Sequence, residues 1–474
     1  MNSFEIFYLL LMGVISLYGA HRYWLVWGAL RAGTREQESS MSSDARPRVL
    51  IQLPIYNEGP VVARLINSAA RLSWPREALE IQVLDDSDDG STALVDEVVE
   101  GWQQQGVPVR VIRRTVRTGY KAGALQEGLE QSSAELVAIF DADFAIPEDF
   151  LLRTTGYFGD SQVGMVQARW GFLNENQNLL TRVQALMLHG HFHVEHRARA
   201  AAGRFFNFNG TAGIWRRAAI LDSGGWQADT VTEDLDLSLR AWLRGWQFRY
   251  VDDLEVPSEL PADMASYKIQ QNRWVSGSMQ TAVRLMGRVM RGPLSVTQKI
   301  DLFFYLTSNF TYLLLLLLAL AVPQAVLIRF EASGRLLWAD LPFFFMATVS
   351  VFVFCARARR PHLPRLRFYL LQVPGLMALG LGMAVHNARA VLRGLFGKSR
   401  VFERTPKVGA QPHLVVATRR RDLLVLLEGG MGLYVLTYVL ISLVAGSPFS
   451  VPFLSLFGFG YLYVFYHSRR ALFG

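Results

Sequence analysis

Leu136-Val137-Ala138-Ile139-Phe140-Asp141-Ala142-Asp143 is the stretch that decides the fold. An apolar run of strand length passes straight into two carboxylates spaced i, i+2. Such a run, bounded by polar turn residues, reads as a strand buried on both faces. Similar runs occur at Val49–Pro54, Ile81–Asp85, Val109–Arg113 and Gly164–Ala168, separated by helical patterns at about 58–72, 91–105, 120–132 and 148–158. Strands alternating with helices predict a parallel sheet with helices on both faces. Ligands of such sheets bind beyond the carboxyl ends of the strands, which is where the polar residues fall. Pro54-Ile55-Tyr56-Asn57-Glu58 closes the first run, Asp85-Asp86-Ser87-Asp88-Asp89-Gly90 the second, and Asp141-Ala142-Asp143 the fourth. Singly, each reads as an ordinary turn. Three at matching strand ends point to one cleft.

Outward from this core, the 474 residues leave room for two or three domains at roughly 150 residues each. Hydrophobic residues make up 51% of the chain, yet its centre is charged, so the apolar excess sits at the ends. The stretch 1–30 reads as an uncleaved anchor, with no basic leader and no cleavage site. Further apolar segments lie at 302–329, 336–356, 366–390, 423–445 and 450–467. The net charge of +8 is mostly arginine beside these segments, which predicts membrane orientation rather than nucleic-acid binding. Arg31, Arg35, Arg46 and Arg48 place the central domain in the cytoplasm. The connector with Arg357, Arg359, Arg360, Arg365 and Arg367 belongs on the same side, as does 393–421. Those last two regions flank 366–390, so a single crossing there would put one of them outside. An interfacial or re-entrant helix satisfies both and leaves five spans. The domain plan is an anchor at 1–30, a catalytic domain at 48–280, an interfacial helix at 281–300, and a membrane region at 301–474.

The motifs suggest their chemistry. Asp141 and Asp143 suit a hard divalent cation, Mg²⁺ or Mn²⁺, sharing phosphate oxygens. Asp85 and Asp86 offer acceptors to a ribose or a base. Lys121, between Gly119 and Gly123 at a helix start, is placed to face an anion. In Thr232-Glu233-Asp234, Asp234 is the candidate general base, with Thr232 capping the helix and Asp236 complementing its dipole. In Gln270-x-x-Arg273-Trp274, Gln270 and Arg273 share a helix face, Arg273 suits a diphosphate, and Trp274 offers a platform for a sugar ring. His189, His193 and His196 share a face but lack a cysteine or an aligned Glu195, so an interfacial helix over the amphipathic stretch 178–202 is preferred to zinc. Arg284, Arg288 and Arg291 read as headgroup contacts. Cys355, the only cysteine, reads as a buried hydrophobe.

In this order the motifs resemble those of processive family 2 glycosyltransferases of the cellulose synthase superfamily. The resemblance covers 48–280 by motif and the later segments by layout. It implies an α/β GT-A (Rossmann-like) catalytic domain inserted between transmembrane helices, with Asp85 and Asp86 on the nucleotide, and Asp141 and Asp143 on metal and diphosphate. Asp234 is then the base, and Gln270, Arg273 and Trp274 hold the leaving diphosphate and the acceptor sugar. By analogy Gly210, Thr211 and Glu233 line the acceptor site. Phe402-Glu403-Arg404-Thr405-Pro406-Lys407 is similar to the gating loop of these synthases, and its Phe402, Thr405 and Lys407 point to the cellulose-synthase-like A (glucomannan synthase) branch. The expected reaction is inverting transfer of a hexose from GDP-mannose or UDP-glucose to a growing β-linked polysaccharide, a β-1,4-mannan or glucan. Membrane lipid and accessory export subunits are the expected partners, in a bacterial inner membrane or a Golgi membrane. A lipid glycosyltransferase (ceramide or polyprenyl-phosphate acceptor) and a non-catalytic membrane scaffold are the rival readings.

Overall fold

A computed structural model describes residues 3–32, 46–331, 337–358, 371–397, 404–405, 423–444 and 450–469. After a first long helix, α1 (Ser3–Arg31), the chain lays down β1 (Val49–Ile55), α2 (Gly59–Ala70), β2 (Leu79–Asp85) and α3 (Ser91–Gln103). Then follow β3 (Val109–Ile112), α4 (Tyr120–Glu130), β4 (Leu136–Ile139) and the short α5 (Phe150–Thr154). The order of the seven-stranded sheet is β3-β2-β1-β4-β6-β5-β7. The first four strands pair in parallel, as the alternation predicts.

The far side of the sheet differs from the expected all-parallel arrangement. β5 (Val163–Phe172) does not touch β4. Between them lies β6 (Gly213–Arg216), antiparallel to both, and β7 (Gln247–Ser258) then pairs with β5 in parallel. Four residues, Gly-Ile-Trp-Arg, are too short for a periodic signal, so β6 was invisible to pattern reading.

Each face of the sheet buries its own cluster. Ile51, Leu53 and Val83 meet Val61, Leu65, Val95 and Val99 of α2 and α3. On the other face Leu50, Leu84 and Val137 meet Leu125 and Leu129 of α4. Leu237 of α9 (Glu233–Leu243) and Met279 and Leu285 of α10 (Met264–Arg291) complete that cluster. α2 shows how local sequence builds these layers. Pro60 starts the helix, and apolar residues at 61, 62, 65, 66 and 69 form the stripe turned to the sheet.

Among the described residues, four helices are long and apolar enough to cross a membrane: Ser3–Arg31, Val296–Val326, Leu341–Ala358 and Leu424–Val444. Val451–Ser468 has the length but is not one of these four, and it packs beside Leu424–Val444, as Gly432 and Gly458 show by their close approach to Leu462 and Leu436. The expected interfacial segment is a bent pair, Val373–Gly382 and Ala384–Phe396, turned by 55°. Its first half packs backbone to backbone on Gly460, while Gly394 in its second half rests on Ser276 and Met279 of α10. The bend thus turns from the apolar bundle onto the catalytic layer. The stretch 281–300 is not a separate interfacial helix. α10 runs unbroken to Arg291, and the next helix begins at Val296. Arg284, read from the sequence as a headgroup contact, binds Asp236 at 3.1 Å and Asp229 at 2.7 Å.

Candidate active site

The cleft lies beyond the carboxyl ends of β1, β2 and β4 and encloses about 1140 Å³, mouth included. Its wall contains Asp86, Lys121, Asp141, Asp143, Gly210, Glu233, Asp234, Gln270, Arg273, Trp274 and Thr405. Nearly every residue singled out by sequence is therefore brought together. Thr211 sits directly behind, its hydroxyl accepting from the Asp141 amide at 2.9 Å. Phe402 and Lys407 lie outside the described residues.

Lys121 is the electrostatic centre. Its backbone geometry comes from Gly119, at φ +71°, which turns the chain into α4, and from Gly123, where a Cβ would lie 2.0 Å from the Thr118 carbonyl oxygen. The Lys121 ammonium donates to Asp141 and, at 2.9 Å, to the Gly210 carbonyl, with Glu233 at 3.9 Å. Burial pushes its pKa down, but Asp141, Glu233 and Asp234 outweigh that and hold it above the ordinary lysine value. In this structure the lysine faces carboxylates; its charge organises the acidic floor on which an anion would settle.

Asp234 opens α9. Burial and then the neighbouring Glu233 raise its pKa to about 7, against the opposing pull of Lys121 and Arg273. A carboxyl so poised exchanges a proton near neutral pH, which is what a general base needs. Thr232 occupies the N-cap position, yet its hydroxyl meets Thr281 at 3.3 Å instead of capping the helix. Asp236 is fully buried between Arg240 and Arg284, so it anchors α9 to α10 rather than only complementing a dipole.

The two aspartates at the end of β2 separate in role. Asp85 is buried and spent on Arg113, at 2.9 Å, and on the Ser87 amide, at 3.1 Å; it does not line the cleft. Asp86 does, held by Arg114 and approached by Arg117 at 3.8 Å. The Arg117 guanidinium stacks over the Tyr56 ring at 3.4 Å from its centroid, forming a flat cationic wall. Pattern reading gave no role of its own to Arg114, Arg117 or Tyr56. Tyr56 already stood in a strand-end motif, but nothing local marks the arginines, which converge only through the loop after β3. Arg404 pairs with Glu58 at 3.4 Å and donates to the Asn57 carbonyl, so the 404–405 segment closes the wall beside β1.

Asp141 and Asp143 both face the cleft. Arg64 fixes their turn by donating to the Asp143 carbonyl at 3.1 Å while pairing with Glu259 at 2.7 Å. No group of three or more His, Cys, Asp or Glu side chains placed to hold a metal occurs among the described residues. The protein thus offers two hard oxygen donors and leaves further positions to ligand oxygens and water, a donor set that fits Mg²⁺ or Mn²⁺. The histidines form no zinc site there: His189 meets Glu175, His193 meets Asp252, and His191 meets Glu195.

Comparison with known proteins agrees with this geometry. Residues 47–277 match the family described as "Glycosyltransferase like family 2". Glucomannan 4-beta-mannosyltransferase 7 of Arabidopsis thaliana is 37% identical over 377 residues, covering 78% of this chain and 66% of the relative. Probable glucomannan 4-beta-mannosyltransferase 3 of Oryza sativa subsp. japonica is 47% identical over 239 residues, 49% of this chain and 43% of the relative. The chain thus spans less than two thirds of the length of these curated relatives. Among solved structures, a mannosyltransferase from Pyrobaculum calidifontis, in complex with GDP-Man and Mn2+, superposes with a TM-score of 0.55 at 20% identity, covering 74% of this chain and 97% of that one. The chain carries a glycosyltransferase family 2 domain built on the GT-A fold.

Proposed function

We propose that this protein transfers mannose from GDP-mannose to the 4-hydroxyl at the end of a growing β-linked mannan or glucomannan, with inversion at the anomeric carbon. The observation that carries the reading is Asp234, a partly buried carboxylate with a pKa near 7 in the same cleft as Asp141, Asp143 and Arg273. A relative whose name specifies a 4-beta linkage supports the β-1,4 product. An α-linked donor and a β-linked product require a single displacement, and one base suffices.

Asp234 takes the proton of the acceptor hydroxyl as that oxygen attacks. Arg273 stabilises the charge growing on the departing diphosphate, a bidentate contact that strengthens as the bond breaks. Trp274 carries the acceptor sugar on its face. Asp86, with Arg117 and Tyr56, holds the nucleoside end. Asp141 and Asp143 would hold the divalent cation, which when bound neutralises charge on the diphosphate. The arginine-rich margins favour a catalytic domain facing the cytoplasm, with the apolar helices embedded in the membrane.

Membranes containing the full chain, supplied in turn with GDP-mannose, UDP-glucose and UDP-N-acetylglucosamine, test the reading. Long alkali-resistant polymer from GDP-mannose is expected. A single extractable glycolipid would favour the lipid transferase instead, and no consumption of any donor would favour the scaffold.

A further inference from the structure

One half-buried cluster beside the cleft has no part in the chemistry above. The segment 178–202 is not a uniform helix. α6 (Leu179–Gly190), begun by a capping box between Asn178 and Thr181, gives way to a π-helical turn, His191–His196, before α7 (Arg197–Ala201) resumes. In a regular helix residues five apart point about 140° away from one another. The wider π turn brings His191 and His196 onto one face, with ring centroids 4.2 Å apart.

Both imidazoles grip the same side chain, Asn209, which lines the cleft. Its Nδ2 lies 2.9 Å from His191 Nε2, and its Oδ1 lies 2.8 Å from His196 Nε2. His191 Nδ1 is 2.9 Å from the Glu195 carboxylate. A carboxylate only accepts, so in a neutral His191 the proton sits on Nδ1 and Nε2 accepts from the Asn209 side-chain amide. Asn209 Oδ1 then takes the Nε2–H of His196. Burial, above all, keeps the pKa of His196 well below the usual histidine range, so the ring is neutral and has one proton to give. A single carboxylate therefore fixes the direction of the whole chain, Glu195–His191–Asn209–His196.

What this chain clamps is the floor of the active site. The Asn209 backbone N–H donates to Gln167 Oε1 at 2.9 Å. The next carbonyl, Gly210, receives Lys121, and Thr211 receives the Asp141 amide. Gly210 stands at φ +81°, and a Cβ there would lie 3.0 Å from Asp234 Oδ2. A shift of this turn would displace Lys121, Asp141 and Asp234 together.

We propose that His191, His196 and Asn209 are positioning residues, the π turn holding the Asn209–Gly210–Thr211 turn so that base, lysine and aspartate keep their mutual geometry. The catalytic part of this inference rests on Asp234 acting as base. Glutamine carries its terminal amide where Nε2 of a histidine sits, asparagine where Nδ1 sits. His191→Asn should therefore lower kcat for GDP-mannose by about 10- to 100-fold, the scale of an ångström-sized misplacement. The melting temperature should stay near wild type, and His191→Gln should recover most of the rate. Wild-type kcat in His191→Asn, or equal losses in the two variants, would overturn the proposal.

A second measurement is independent of turnover. Nitrogen-15 NMR of the histidine-labelled full chain in lipid nanodiscs should show His191 protonated at Nδ1 alone. A His191 protonated at Nε2 instead sinks the relay even if the wild type makes polymer. A wild type inert to GDP-mannose sinks the proposed reaction, and the NMR result then decides the relay.

Discussion

The two halves of the cleft are built differently. The half proposed to hold the nucleotide hangs on the carboxyl ends of β1, β2 and β4, strands buried on both faces, and its side chains follow those strands within a few residues: Tyr56, Asp86, Asp141 and Asp143. The half proposed to take the acceptor has no such frame. Asn209, Gly210, Asp234, Trp274 and Thr405 come from a loop, two helix segments and a stretch remote in sequence, and they hold position through polar contacts such as Lys121 to Gly210 and Arg404 to Glu58. A strand end is positioned by the sheet. A loop is positioned only by its partners, so chemistry there is sensitive to distant changes.

The sharpest way to break this division is Asp234→Asn. Transfer should fall by about a thousandfold or more, at the upper end of general-base effects, while GDP binding, measured by calorimetry, stays within about threefold. Loss of GDP binding would mean that the halves are not separable. Chelation with EDTA should cost about a hundredfold or more and be reversed by Mn²⁺ or Mg²⁺. Asp141→Asn should resist that rescue, because it removes a donor from the cation site.

The pH profile gives a milder test. A base with a pKa near 7 is active when deprotonated, so kcat should rise with pH and level off above about 8. Between pH 6 and 7 the increase should be roughly fivefold, from the ionised fraction of one such group. Asp234→Glu should move that limb, and a profile flat from pH 5.5 to 8 would remove Asp234 from the role.

The smallest expected effect separates neighbours. Asp86→Asn should raise the KM for the donor several-fold with little change in melting temperature. Asp85→Asn, which weakens a buried contact to Arg113, should instead lower stability by about 1–3 kcal/mol. The reverse pattern would exchange their roles.

The same division explains what the sequence revealed. Leu136–Asp143 showed both a strand and a chemical motif, because a buried parallel strand is a continuous apolar run that ends where ligands bind. The Gln270–Trp274 pattern was legible for a similar reason, since helical spacing puts Gln270 and Arg273 on one face. β6 escaped because four residues carry no period. The roles of Arg114 and Arg117 escaped because their partners, Asp86 and Tyr56, are brought near only by folding. The histidine segment misled because its π turn changes the angular register, and neither propensity nor hydrophobic spacing reports that change.

The configuration of the new bond tests the account most directly. Polymer made from GDP-mannose labelled at C1 with carbon-13 can be read through its one-bond carbon–hydrogen coupling and its linkage pattern. The account predicts β-1,4-linked mannose throughout. An α-linked product would contradict inversion by a single base at Asp234.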